Sequence, residues 1–197
     1  MIDTKMAFVV PGLDRADHVR ADAARLAQMQ ARADAKVLAL DGLAPELVDE
    51  RLVWQPLDAE MAGQEMVFLG LQDGSPRFAI PPQTGDNRQA FEQRASREAL
   101  SRMLPQELAI YGAARSLVDW HARHRFCANC GAPTVIAKGG WQRGCTDETC
   151  GAQHFPRVDP VAIMLVEHDG DLLLGRGLNF PPKLFSALAG FVEPGET

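Results

Sequence analysis

Phe126-Cys127-Ala128-Asn129-Cys130-Gly131, followed by Gly144-Cys145-Thr146-Asp147-Glu148-Thr149-Cys150-Gly151, decides how this chain is read. The four cysteines are the only ones in 197 residues, and their spacing is C-x2-C-x14-C-x4-C. Two thiolate pairs, each on a short turn, can converge on one tetrahedral zinc. The x4 gap is wider than the common x2, yet still compatible with a zinc ribbon. Two disulfides or four free thiols are the alternatives. Disulfides suit small secreted domains. The N-terminus, Met1-Ile2-Asp3-Thr4-Lys5, lacks the basic-then-apolar order of a secretory signal. Clustered thiols without export point to a reducing, cytoplasmic setting. The ribbon is expected over about Phe126 to Phe155, with Lys138-Gly139-Gly140-Trp141 as the turn between its arms.

Outward from the ribbon, composition sets the limits. Apolar residues at 46% suffice for a core, and 23% charged residues are ordinary for a globular protein. No apolar run approaches ~18 residues, so no membrane partner is expected. The net charge of −6 argues against a general nucleic-acid coat. Between Arg115 and Arg157, however, six Lys/Arg face three acids. Such a segment could meet a phosphorylated ligand, or simply be solvated surface.

Upstream, residues 6–10 (MAFVV) read as a strand closed by Pro11-Gly12. Asp14 resembles a helix cap, and Val19, Ala23, Leu26 and Ala27 recur at helical spacing to about Ala33. Lys36 to Leu40 predicts a strand, stopped at Asp41-Gly42. Leu43 to Met61 has no clear period. Met66–Leu71 and Pro76–Ile80 predict a hairpin about Gln72-Asp73-Gly74-Ser75. A helix is expected over Asn87 to Leu104, capped by Asp86 or Asn87, and a second from Pro105, with Leu108, Tyr111, Leu117, Val118 and His121 on one face. Tyr111 and Trp120 are expected in the core. Downstream, Val161–Val166 and Leu172–Leu174 predict a hairpin turning at His168 to Asp171, and Leu184–Val192 is a further apolar segment.

The last segment reads Gly190-Phe191-Val192-Glu193-Pro194-Gly195-Glu196-Thr197. It resembles the start of a Nudix box, G-x5-E-x7-R-E-U-x-E-E-x-G-U, with Gly190 and Glu196 at its first fixed positions. The R-E and E-E cluster would begin at about position 204, past Thr197, which would cap the helix. The expectation is therefore a Nudix domain cut within its box. No catalytic glutamate lies inside these residues, so they would be inactive alone.

The ribbon next to this box resembles the NADH pyrophosphatases of the Nudix hydrolase family. The likeness is strongest in Trp120–Gly131, in His154-Phe155-Pro156-Arg157-Val158-Asp159-Pro160, and in Leu188–Glu193. It implies hydrolysis of NADH or NAD to nicotinamide mononucleotide and AMP, and removal of NAD caps from RNA. It also implies a homodimer, a structural zinc on Cys127, Cys130, Cys145 and Cys150, and a catalytic Mg²⁺ or Mn²⁺. The backbone carbonyl of Ala189 matches a ligand of that cation. Phe191 matches a ring stacking on nicotinamide, and Phe155 matches an aromatic of the same pocket from the partner subunit. Core packing is the alternative for both. Glu196 is expected to support the loop rather than act as base, and Glu193 to face solvent or brace the loop. Gly140 is a departure, since the family can carry an acid just before the ribbon tryptophan. The expected class is α+β: a mixed α/β domain over 1–122, a zinc ribbon over 123–156, and the first strands of a Nudix α/β/α sandwich over 157–197. A ribbon that only binds RNA or protein, or only dimerises, without catalysis, is the competing reading.

Overall fold

The computed structural model describes residues 8, 12–85, 93–178 and 180–196. The expected strand over 6–10 (apart from Phe8), the helix start near Asp86 and the Thr197 cap lie outside them. The chain divides into two units, Met1–Pro156 and Arg157–Thr197.

The first unit is built on a four-stranded mixed sheet. Its elements run α1 (Asp17–Arg20), α2 (Ala23–Gln30), β1 (Lys36–Leu38), β2 (Leu40–Asp41), β3 (Ala44–Pro45), β4 (Leu47–Val48), β5 (Arg51–Leu52), β6 (Trp54–Pro56), α3 (Ala59–Ala62), β7 (Val67–Gln72), β8 (Ser75–Ala79), α4 (Arg94–Arg102) and α5 (Pro105–Arg123). The order across the sheet is β6-β1-β8-β7, with β1 parallel to β8 and the other pairs antiparallel. Successive side chains of a strand face opposite ways, so this sheet serves two cores. Leu38, Val67 and Leu69 join Tyr111, Leu117 and Val118 of α5 on one face. Val37, Phe68 and Phe78 join Ala16 and Val19 on the other. Phe68 and Phe78 are fully buried with ring centroids 5.4 Å apart. Truncating either to Ala would cost about 3–5 kcal/mol.

Several expectations hold and one is corrected. The β7–β8 hairpin turns at Asp73-Gly74, and Pro105 opens α5. Tyr111 and Trp120 are buried, with the Tyr111 hydroxyl donating to Leu43 O at 2.6 Å. Asp14, however, does not cap one long helix. Its backbone exchanges hydrogen bonds with Leu71, 2.9 Å and 2.7 Å long. Gly70 permits that approach, because a Cβ there would stand 2.2 Å from Asp14 O. The helical stretch is instead split, and Asp22 caps α2 by accepting from Ala24 N at 2.9 Å and Arg25 N at 3.1 Å. Leu43 to Met61, without period in the sequence, forms four two- or three-residue strands and the single turn α3.

The ribbon continues the first unit with β9 (Thr134–Ala137), a 3₁₀ turn (Lys138–Gly140), β10 (Gln142–Cys145) and β11 (Gln153–His154), in the order β11-β10-β9. Its turn end is embedded in the N-terminal domain. Trp141 Nε1 donates to Phe68 O at 2.8 Å, and Arg20 lies 4.1 Å over the Trp141 ring. Gly140 has φ +89°, and a Cβ there would stand 2.8 Å from Val67 Cα. Arg143, only 2% exposed, is the second tie. Its guanidinium donates to Thr134 Oγ1 and Thr134 O, each at 2.7 Å, to His121 Nδ1 at 2.9 Å, and to both Glu65 oxygens at 3.3 Å. His121 Nε2 in turn donates to Gly140 O at 2.7 Å. Burial first, then the Arg143 charge, pushes His121 down to about 4, so it is neutral and accepts at Nδ1.

The second unit contains β12 (Val161–Met164), β13 (Glu167–His168), β14 (Asp171–Leu172), β15 (Leu174–Gly175) and β16 (Ser186–Phe191). Strand β16 lies between β12 and β15, and β13 and β14 form a hairpin at Asp169-Gly170. Within this unit most apolar side chains are exposed, Ile163 and Phe191 among them.

Candidate metal centre and substrate-contact residues

Two turns shape the ribbon's far end. In the first, Cys127 N–H donates to Ala132 O at 2.7 Å, Gly131 N–H to Cys127 O at 2.9 Å, and Asn129 N–H to Cys127 Sγ at 3.4 Å. In the second, Cys145 N–H donates to Ala152 O at 2.9 Å and Asp147 N–H to Cys145 Sγ at 3.4 Å. The wide x4 gap is absorbed by Asp147. Its Oδ1 accepts from Thr149 N at 2.8 Å and Thr149 Oγ1 at 2.7 Å, and its carbonyl accepts from Cys150 and Gly151. Side-chain turns of this kind are what Asp offers a loop. Those Thr149 donors hold the Asp147 carboxyl below the usual range.

The four sulfurs lie within 4.8 Å of one another. Cys127 and Cys150 are 3.8 Å apart, and Cys130 and Cys145 3.5 Å. A disulfide needs about 2.05 Å, so these are four thiols and not two bridges. A zinc bound at about 2.3 Å to each sulfur requires tetrahedron edges of about 3.8 Å. The donor set therefore fits zinc in both chemistry and spacing. Backbone N–H groups, that of Cys130 first, bring the Cys127 thiol down to about 6. Loss of solvent pushes Cys145 up to about 12. Four thiolates this close need a cation between them.

The other sequence-derived residues lie as follows. Phe155 follows β11 directly and is 58% exposed. Phe191 ends β16, paired with Val161, and is 70% exposed. Ala189 and Gly190 pair with Ile163 and Ala162. Glu196 Oε2 accepts from Glu193 N at 2.9 Å, closing the loop after β16. Phe155 and Phe191 belong to different units. At Gly140 the close Val67 backbone leaves no room for a side chain, acidic or otherwise.

The basic segment divides between interior and surface. Arg143 is buried, Arg123 pairs with Asp119 at 2.8 Å, Arg157 pairs with Asp159 at 3.0 Å, and Arg125 donates to Pro82 O at 3.1 Å. Arg123, Lys138 and Arg157 nevertheless remain exposed, in keeping with the solvated-surface reading. Sequence reasoning missed Arg143, since nothing in a Gln-Arg-Gly strand announces a buried guanidinium. It also assigned no role to His154, whose Nε2 stands 3.3 Å from Cys127 Sγ.

Two family models match this architecture. Residues 30–120 match the NADH pyrophosphatase-like rudimentary NUDIX domain, and residues 122–155 the NADH pyrophosphatase zinc ribbon domain. Among curated relatives, a NAD-capped RNA hydrolase NudC of Mycobacterium bovis is 35% identical over 94% of this chain and 61% of its own length. A NudC of Chromobacterium violaceum is 37% identical over 77% of this chain and 56% of its own. The human NAD-capped RNA hydrolase NUDT12 is 47% identical over 50% of this chain and 23% of its own. The chain thus spans between about a quarter and three fifths of these relatives. With the rudimentary NUDIX domain and the zinc ribbon matched in succession over residues 30–155, the chain belongs to the NADH pyrophosphatase family of Nudix proteins.

Proposed function

We propose that this chain serves a cytoplasmic, homodimeric hydrolase that cleaves the diphosphate of NADH or NAD into nicotinamide mononucleotide and AMP. The same cleavage would remove NAD from the 5′ end of RNA. Water adds across the P–O–P bridge, one P–O bond forming and one breaking. The carrying observation is the Nudix-box start at Gly190 and Glu196, in a chain whose preceding residues match two NADH pyrophosphatase domains. The NAD-capped RNA hydrolase names of the relatives support it.

Mg²⁺ or Mn²⁺, when bound, holds the phosphate oxygens and neutralises their charge. The Ala189 carbonyl is a hard oxygen suited to such an ion. The chain's own part is to place flat rings against flat bases. Phe191 and the partner subunit's Phe155 are assigned to the nicotinamide end, and both side chains are exposed enough to do so. Glu196 holds the loop after β16 by accepting from Glu193 N. Zinc is structural, holding the ribbon.

The test is NADH hydrolysis with Mg²⁺ or Mn²⁺ by a protein that carries this chain together with a whole Nudix box, following nicotinamide mononucleotide and AMP. Absence of both products refutes the activity. Phe191→Ala should lower kcat/KM by the worth of one stacked base, about 1–3 kcal/mol. A folded variant with unchanged kinetics refutes the Phe191 assignment alone. Sedimentation that finds only monomer refutes the partner's contribution.

A further inference from the structure

The zinc centre has a neighbour that is not a ligand. His154 Nε2 lies 3.3 Å from Cys127 Sγ. Cys127 is the buried cysteine of the four. Water can share the charge of the more exposed sulfurs but not of this one. A zinc-bound thiolate only accepts hydrogen bonds. Nε2 must therefore carry the proton and donate it, alongside the Asn129 N–H at 3.4 Å. A fifth coordinating atom is not called for, because four sulfurs already have the spacing of a closed tetrahedron.

We propose that His154 is a positioning residue of the metal centre: by donating to Cys127 Sγ it strengthens zinc retention and ties the third ribbon strand to the metal. Strand β11 is only Gln153–His154, joined to β10 through the Arg143–His154 and Gly144–Gln153 pairs. Two residues of pairing hold a strand weakly. The His154 tie adds the anchor, and the next residue is the exposed Phe155. Zinc would thus set where Phe155 stands. This rests on the ribbon holding zinc and not on the proposed hydrolysis, so its test needs no substrate.

The experiment compares the zinc-loaded chain with His154→Leu and His154→Gln, timing zinc transfer to a chromophoric chelator. His154→Leu should weaken retention about 10–100-fold, the usual effect of losing an outer-shell partner. His154→Gln, which keeps an N–H, should recover part of it. With cobalt in place of zinc, the four-sulfur ligand-field bands should persist in both variants while the sulfur-to-cobalt charge-transfer band moves in His154→Leu. Amide exchange at 153–155 should quicken in that variant while β7 and β8 stay protected. Unchanged zinc retention overturns the proposal. So does a three-sulfur, one-nitrogen cobalt spectrum in the parent, which would make His154 a ligand. Equal loss of protection in β7 and β8 overturns it too, by making His154 a general packing residue.

Discussion

Replacing Arg143 by Met removes the guanidinium and keeps most of the stem. The change leaves Thr134 Oγ1, Thr134 O and His121 Nδ1 without the donor that now meets each at 2.7–2.9 Å. All three belong to residues at most 5% exposed. An orphaned buried acceptor costs about 1–3 kcal/mol. The terms are not additive, and breaking one buried charged network costs about 3–5 kcal/mol. The Glu65 leg is different. Its carboxylate side chain is 41% exposed and its contacts are 3.3 Å. Solvent screens such a pair, which leaves it below about 1 kcal/mol. Arg143→Met should therefore lower stability by about 3–5 kcal/mol and Glu65→Gln by about 1 or less. The assay is urea unfolding of zinc-loaded protein, read by tryptophan fluorescence, with zinc content checked in each variant. At a slope of about 2 kcal/mol per molar urea, the Arg143→Met midpoint falls by about 2 M. A loss under about 1 kcal/mol, or equal losses in the two variants, would show that Arg143 is not the tie between ribbon and domain.

His121 is neutral in the fold, its pKa held near 4 against 6.5 when unfolded. Its contribution is fully present above about pH 6.5 and is lost as pH falls toward 4, about 3 kcal/mol in all. Urea midpoints across that range should fall more steeply in the parent than in His121→Gln, and parallel curves would refute it. Gly140→Ala combines φ +89° with a Cβ 2.8 Å from Val67 Cα, and should lower the urea-derived stability by at least about 2 kcal/mol. Chelating zinc should strip exchange protection from the amides of Asn129, Gly131, Asp147 and Cys150. The Trp141 indole N–H, bonded to Phe68 O, should keep its protection; equal loss at both ends would refute the separation.

How much was legible depended on whether the signal was local. Cysteine spacing located the metal centre because coordination fixes ligand number and reach. Asp73-Gly74 and Pro105 located a turn and a helix start because their preferences act within a few bonds. Asp14 misled, since its backbone partner is Leu71, far along the chain, and the glycine that admits it gives no helical signal. Arg143 was illegible for the same reason: its partners Glu65, His121 and Thr134 come from three separate segments. Phe155, Phe191 and Ala189 were never readable from pattern alone. They came from resemblance, and the structure adds the exposure of both rings and the β16 register.

The ribbon itself explains why it is not a separate unit. A segment this short cannot bury enough apolar surface to fold unaided. Of its large apolar side chains, Phe126, Val135 and Phe155 are 51–69% exposed and Ile136 and Trp141 are half-buried, so it has no core of its own. Stability must enter from its two ends. At one end four cysteine sulfurs lie within 4.8 Å of one another, spaced to hold a zinc ion. At the other, Trp141 and Arg143 enter the N-terminal domain, and a glycine lets the turn lie against Val67. Strand β10 spans both ends in four residues, Gln142–Cys145, with the buried Arg143 two positions from a zinc-type ligand. Because the scaffold is secured at its ends, its aromatic rings are not needed inside. That leaves Phe155 available for contact with another molecule, which the proposed nicotinamide role requires.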